Sequence, residues 1–489
     1  MIIKRHTTLP LIALVVLAAL SLTLGVEAKS TARPTGGKAV AHRDGKAVKR
    51  GGRIPVAVTN SITYPALEPT LGLTPSGDIY VAAAKYRPYG FAAVPTTEIM
   101  HSADGGKTWT NTSPRIGPQN QSPITGDPYI LVDDVDGDNS RIFSIDLYVA
   151  CSYMSFSDDG GKSWITNPLA CGRPVNDHQT LFSGPPVTSN TIGYPKVLYY
   201  CWNDVGSSAC SKSLDGGITF VPTGEPAFLG YDQASEDKGF FGVDGFCGGL
   251  HGHGAVAPDG TVYLPREYCG QPHVAVSRDE GRTWDRVLVS KKIRSISQPD
   301  EGAAHPSVAV DSKGNVYYLW ISSKNRLPYL SVSKNGGKTW SDPVIAGPPG
   351  LRETNLPQIA AGKPGAVAFS YYGSTNSPFQ RCKRECAAGD YLKTTWNGYL
   401  TISDDALSRN PSFFTGTVND PKEPLVIQRC GPGRCHMVMD FIDVEIGPDG
   451  MAYGVYVDSC MTDCITQNAG PTGEYEGLVS RLVGGPRLK

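Results

Sequence analysis

A surplus of either charge is missing from this 489-residue chain: 45 Lys and Arg face 46 Asp and Glu, for a formal net charge of −1. That balance excludes an electrostatic nucleic-acid binder, whose footprint is strongly basic. Charged residues are scarce as well, 19% against 40% apolar, which excludes a disordered chain. After Leu24 there is no second long apolar run, so no transmembrane segment is expected. No cysteine stands near the N-terminal processing point to take a lipid.

What is present at the N-terminus reads as a leader. Lys4, Arg5 and His6 precede an apolar run from Leu9 to Leu24, and Val26-Glu27-Ala28 offers a small-x-small cleavage pattern. Residues 1–28 are therefore expected to be a signal peptide and the protein to be secreted. Residues 29–52 are basic, Gly-rich and without apolar period, which predicts a flexible linker. All 12 cysteines follow the leader, in close sequential pairs: Cys151/Cys171, Cys201/Cys210, Cys247/Cys269, Cys382/Cys386, Cys430/Cys435 and Cys460/Cys464. In an oxidising exterior these are expected to be disulfides, with neighbours as natural partners, although sequence leaves the connectivity open. A zinc site would need two pairs converging at tetrahedral spacing.

Turn-formers are abundant. The 56 Gly and 38 Pro make 94 of 489 residues, against an average of about 12%. One short motif recurs: SADGGKTW from Ser102, SDDGGKSW from Ser157, SLDGGITF from Ser213, SRDEGRTW from Ser277 and SKNGGKTW from Ser333. A decayed copy, SDDALSRNPSF, begins at Ser403. Each follows an alternating segment such as HVAVS (273–277), so the motif is expected to turn one strand into the next. Its carboxylate accepts backbone N–H groups and its glycine supplies positive φ. The motif aspartates are then structural.

A second pattern precedes each copy. EPTLGLTPSGDIYVAAA (68–84) aligns without gaps to HPSVAVDSKGNVYYLWI (305–321), and the same two-strand rhythm recurs at 251–267, 356–372 and 441–457. Longer versions at 127–145 and 178–202 bring the count to seven. Four-stranded units at this period predict an all-β fold, a seven-bladed β-propeller over 53–489. The last unit ends after its third strand (477–485), so Arg53–Asn60 is expected to supply the fourth and close the ring.

The S-x-D-x-G-x-T-W copies resemble the Asp boxes, or BNR repeats, of the sialidase superfamily. The resemblance covers 53–489 and implies a propeller, six-bladed in sialidases, which stands as the alternative to seven. It implies a glycoside hydrolase, sialidase-like and of unspecified sugar, with an extracellular glycan or glycoprotein as partner. Such enzymes use three arginines on the substrate carboxylate, a Tyr nucleophile paired with Glu, and an Asp acid/base. Arg53-Ile54-Pro55 looks like the family's first arginine, but strand alignment puts the family's Pro on Pro69 and its Arg on Leu67. The remaining candidates at strand-B ends are Arg87, Arg266 with Glu267, Tyr371 and Tyr372.

The residues themselves suggest a site on the face opposite the motifs, where strand A begins. The aligned starts are Glu68, Asp127, His178, His251, His305, Leu356 and Phe441. A ring of His, Asp and Glu suits acid/base catalysis or a divalent metal, and equally a hydrogen-bonded tunnel lining. Equivalent positions in a closed ring face one axis, so these residues are expected to converge on an open pocket. Trp202 and Trp320 are candidates for stacking on sugar rings, or for packing between blades. Asp134, Asp136 and Asp138 surround Gly137 as calcium loops do, without the bidentate Glu, so the only cofactor expected is a structural calcium. A monomer is expected. The rival readings are a non-catalytic glycan- or protein-binding propeller and a metal-dependent hydrolase or lyase using the histidines.

Overall fold

Strands dominate because β-branched and aromatic residues recur in short runs cut by Gly turns. The computed structural model describes residues 28–29, 36–49, 53–85, 95–116, 120–168, 176–230, 247–296, 305–382, 388–427, 442–460 and 475–489, apart from 121, 124, 138, 149–150, 205–206 and 248. These strands fall into seven antiparallel sheets, and the molecule is an all-β propeller. The inner strands are, in chain order, Leu67–Leu73, Tyr129–Asp136, Asp177–Gly184, Ala255–Val256, Ser307–Val310, Glu353–Ala361 and Asp443–Ile446. Each inner strand packs against the next, and the seventh returns to the first. We number the sheets by these strands.

The core lies between sheets. One apolar cluster joins Val274 and Val276 of sheet 4 to Tyr318 and Trp320 of sheet 5, and another joins Leu71 and Val81 of sheet 1 to Tyr453 and Val455 of sheet 7. Because both faces of a sheet are covered, second strands read as continuous apolar runs: VLYYCWN (197–203) and VYYLWI (316–321) are buried throughout. This explains why Trp202 and Trp320 are only 1% and 0% exposed. They stack on Tyr200 and pack beside Tyr318, so the expectation of sugar platforms is corrected.

Sheet 7 takes its outer strand from near the N-terminus. Val56–Ser61 pairs antiparallel with Glu476–Val483, Ser61 opposite Leu478 and Val56 opposite Val483. Thr59 ties this strand inward, its hydroxyl donating to the Val418 carbonyl at 2.6 Å and lying 2.9 Å from the Ser480 hydroxyl.

The flexible linker expected over 29–52 is corrected in part. Val40–Arg43 and Lys46–Ala47 form a hairpin that extends the outer edge of sheet 6, with Val40 opposite Thr415. His42 bonds Thr415 Oγ1 at 2.7 Å and Arg43 donates to Ser412 at 2.8 Å. The turn is Asp44-Gly45, both at positive φ, a strong hairpin signal that composition alone conceals. The leader residues 1–27 lie outside the described residues.

The recurring motif builds one turn. Ser102 Oγ donates to Asp104 and accepts Gly106 N, while Asp104 Oδ1 accepts Lys107 N and Thr108 N, each at 2.9 Å. The pattern repeats at Asp159, Asp215 and Asp279, and Asn335 substitutes its amide in the fifth copy. Hydrogen bonds from Ser and Thr hydroxyls and backbone N–H groups hold Asp159 and Asp104 ionised, both down to about 2.

Cys201–Cys210 joins paired strands of sheet 3 with Cα atoms 4.1 Å apart, and Cys247–Cys269 bridges sheet 4 at 4.6 Å. Cys382 and Cys460 are also disulfide-bonded. Cys171, Cys386, Cys430, Cys435 and Cys464, and the side chain of Cys151, lie outside the described residues.

Candidate functional site at the ring centre

An innermost strand has no partner on one side, so its inward N–H groups must be satisfied by other means. Side chains of the neighbouring sheet supply the acceptors. Asp127 accepts His178 N at 3.0 Å, Thr70 accepts Ile130 N at 2.9 Å, Ser307 accepts Ile359 N at 3.3 Å and Asp443 accepts Leu71 N at 3.0 Å. Asn203, from a second strand, does the same for His251 N at 3.2 Å.

Three strand-A starts are irregular in the same way. Glu68, His178 and Leu356 have φ of 50°, 46° and 54°, each at a register break in the pairing with the second strand. A bulge with a left-handed non-glycine residue costs strain and re-aims the side chain.

The histidines converge. The His178 ring lies 4.1 Å from His305, 6.1 Å from His251 and 6.4 Å from His253. His253, from the segment leading into sheet 4, stands edge-on to Tyr129 of sheet 2 at 4.8 Å and 3.8 Å from the Asp443 carboxylate of sheet 7. Only the middle of the ring lies within reach of sheets 2, 3, 4 and 7 together. The open pocket is corrected: Glu68, His178, His251, His305, Asp127 and His253 are 0% to 8% exposed. The neighbouring sheets that bring the rings together also cover them.

Burial sets the charge states. It pushes His253 down to about 3 and His251 well below the usual range, with His178 adding to both. Burial drives Asp443 well above the carboxylate range, with the Glu445 carboxylate two residues along the same strand face adding to it, and burial raises Glu445 to about 7. The centre thus sets neutral His253 3.8 Å from the protonated Asp443 carboxyl, a base beside an acid. Among the described residues no group of three or more His, Cys, Asp or Glu is placed to hold a metal ion.

The resemblance-derived candidates sit elsewhere. Arg266 is 1% exposed and donates to Ser208 Oγ and the Cys247 carbonyl, tying sheets 3 and 4. Glu267 accepts Gly270 N within its own turn. Tyr371 and Tyr372 are fully buried. Tyr371 bonds Thr401 Oγ1, and the Tyr372 hydroxyl donates to Val457 O and accepts Val457 N. No arginine cluster faces Tyr372 among the described residues, and Arg87 lies outside them. At the acidic turn, Asp133 accepts from Lys196 and Tyr194, Lys196 also donates to the Asp134 carbonyl, and Asp136 accepts from Asn139. Asp134 is exposed, and Asp138 lies outside the described residues.

Sequence reasoning missed His253, Asp443 and Glu445. His253 follows His251 by two residues, the same-face spacing of an extended chain. Asp443 was hidden because alignment starts the seventh strand A at Phe441, two residues early.

The sequence matches no protein-family model and no curated protein. Among solved structures the chain is similar to the Hadza microbial sialidase Hz136 (16% identity, TM-score 0.41, 64% of each chain covered). It thus spans less than two thirds of that sialidase. It is also similar to a protein of unknown function from Dyadobacter fermentans (14%, TM-score 0.40, 92% of this chain and 99% of that). The Penicillium chrysogenum α-L-arabinanase is similar at 13% and TM-score 0.38, covering 81% of this chain and all of that one. No helix among the described residues is long and apolar enough to cross a membrane.

Proposed function

We propose that this protein is a secreted Asp-box propeller of seven blades that processes glycans as a glycoside hydrolase. Seven inner strands in closed succession support the blade count, and a six-bladed count would leave one sheet outside the ring. The boxes are the Ser-x-Asp turns described above. The observation that carries the reaction is the meeting of His178, His251, His253 and His305 with Asp443 at the ring centre. Glycoside hydrolysis needs a carboxyl kept protonated near neutral pH as proton donor, and Glu445, at about 7, has that property. Asp443 and neutral His253 are the neighbouring acid and base.

The burial of this centre favours a second reading, a glycan-binding propeller in which the cluster is scaffold. One experiment separates the two. The secreted protein is assayed against aryl glycosides, sialosides included, and for binding to a glycan array. Turnover that falls at least a hundredfold in Glu445→Gln and His253→Gln, with unfolding midpoints unchanged, supports the hydrolase. Binding without turnover supports the second reading, and neither binding nor turnover overturns both.

A further inference from the structure

The fifth motif differs from the other four. SKNGGKTW carries Asn335 where Asp104, Asp159, Asp215 and Asp279 stand, so this turn has lost its negative charge. Beside it, between sheets 5 and 6, is a cavity of about 350 Å³ opposite the turn 406–409 of the decayed copy. Strand direction puts it on the face of the ring away from the histidines. Its walls include Lys334, Asn335, Trp340, Ser341, Ser408 and Arg409, two cations and no carboxylate. Lys334 Nζ reaches across to the Leu407 carbonyl at 2.9 Å, which fixes one of its three donors and the width of the cleft. Trp109 and Trp284 of the equivalent turns are 1% and 6% exposed, whereas Trp340, like Trp164, is half-buried, and Trp340 borders this cavity. Its indole N–H is occupied by the Gly337 carbonyl at 3.1 Å, so what it offers a ligand is ring surface.

We infer that this cleft binds a sugar ring bearing a carboxylate, which stacks on Trp340 and is held through its acid group by Lys334 and Arg409. Ring faces of sugars are apolar and match an indole, while hydroxyls match Asn335, Ser341 and Ser408. A guanidinium and an ammonium lining the same cleft select the anion. The site anchors an acidic glycan and takes no part in the chemistry of the ring centre, so it stands whether or not that centre is catalytic.

The test is calorimetric titration of the full secreted chain with methyl glucuronide, methyl sialoside and neutral methyl glucoside, followed also by tryptophan fluorescence. An acidic glycoside should bind and perturb tryptophan emission, the glucoside should not, and Lys334→Met and Arg409→Gln should each weaken binding about tenfold without changing the unfolding midpoint. Trp340→Phe should weaken it while keeping the edge-on packing against Tyr318, 6.0 Å away. Equal binding of the neutral glycoside, no binding of either acid, or indifference to the Lys334 and Arg409 variants overturns the inference.

Discussion

The carboxylate of Asp127 accepts the backbone N–H of His178, 3.0 Å away in the next sheet. That N–H belongs to a residue at φ 46°, on an inner edge with no strand beside it. The bond therefore stabilises a strained backbone and couples two sheets at once. Asp127→Ala should cost about 1–3 kcal/mol, the penalty for stranding a buried donor, while Asp127→Asn retains an acceptor and should cost less. Urea unfolding of both variants measures this. An Ala variant that unfolds at the wild-type midpoint removes the capping role.

Closure of the ring rests on a strand far from its partner in sequence. Removing residues up to Ser61 takes away the outer strand of sheet 7, exposes the edge of Glu476–Val483 and frees the Val418 carbonyl held by Thr59. The truncated protein should lose its cooperative melt by circular dichroism. A synthetic peptide covering 53–62 should restore it by adding the strand in trans. An unchanged melt after truncation would show that this strand does not close the ring.

The ring and its closing strand were legible because periodic Ser-x-Asp turns and Gly-separated strand pairs repeat at nearly constant spacing. The hairpin at Asp44-Gly45 was missed because its charges outweighed Val40 and Ala41 in a reading by composition. The site was half legible. Equivalence of position brought His178, His251 and His305 together correctly. Burial was not legible, since periodicity reports which face a side chain takes and not what covers that face. In a propeller each face is covered by another sheet, which is also why Trp202, Trp320, Tyr371 and Tyr372 are core residues.

Tyr372 illustrates the consequence. Its hydroxyl links sheet 6 to both backbone groups of Val457 in sheet 7. Burial raises its pKa, which opposes a role as nucleophile. Tyr372→Phe should lower stability by about 1–3 kcal/mol, because buried Val457 groups lose a partner, and should leave kcat/KM on any accepted glycoside unchanged. A collapse of kcat with stability intact would return Tyr372 to the reaction.

The pH dependence of stability should carry the mark of the ring centre. His253 titrates near 6.5 when unfolded and near 3 when folded, because burial disfavours the imidazolium and His178 adds to that. Between those values the unfolded chain binds the extra proton, so the stability contributed is complete above pH 6.5 and is lost as pH falls towards 3. Glu445 acts with the opposite sign: its folded pKa of about 7 exceeds the 4.5 it has when unfolded, so its contribution is complete below 4.5 and is lost as pH rises through 7. The two partly cancel in the wild type between pH 4.5 and 6.5, and replacing one exposes the other. His253→Gln should remove up to about 1.4 kcal/mol of acid destabilisation per pH unit between pH 4 and 6, measured as the difference in unfolding free energy from wild type. Glu445→Gln should instead flatten the decline between pH 5 and 7. Parallel stability curves for His253→Gln and wild type across that range would mean that His253 meets water and is not held at the closed centre of the ring.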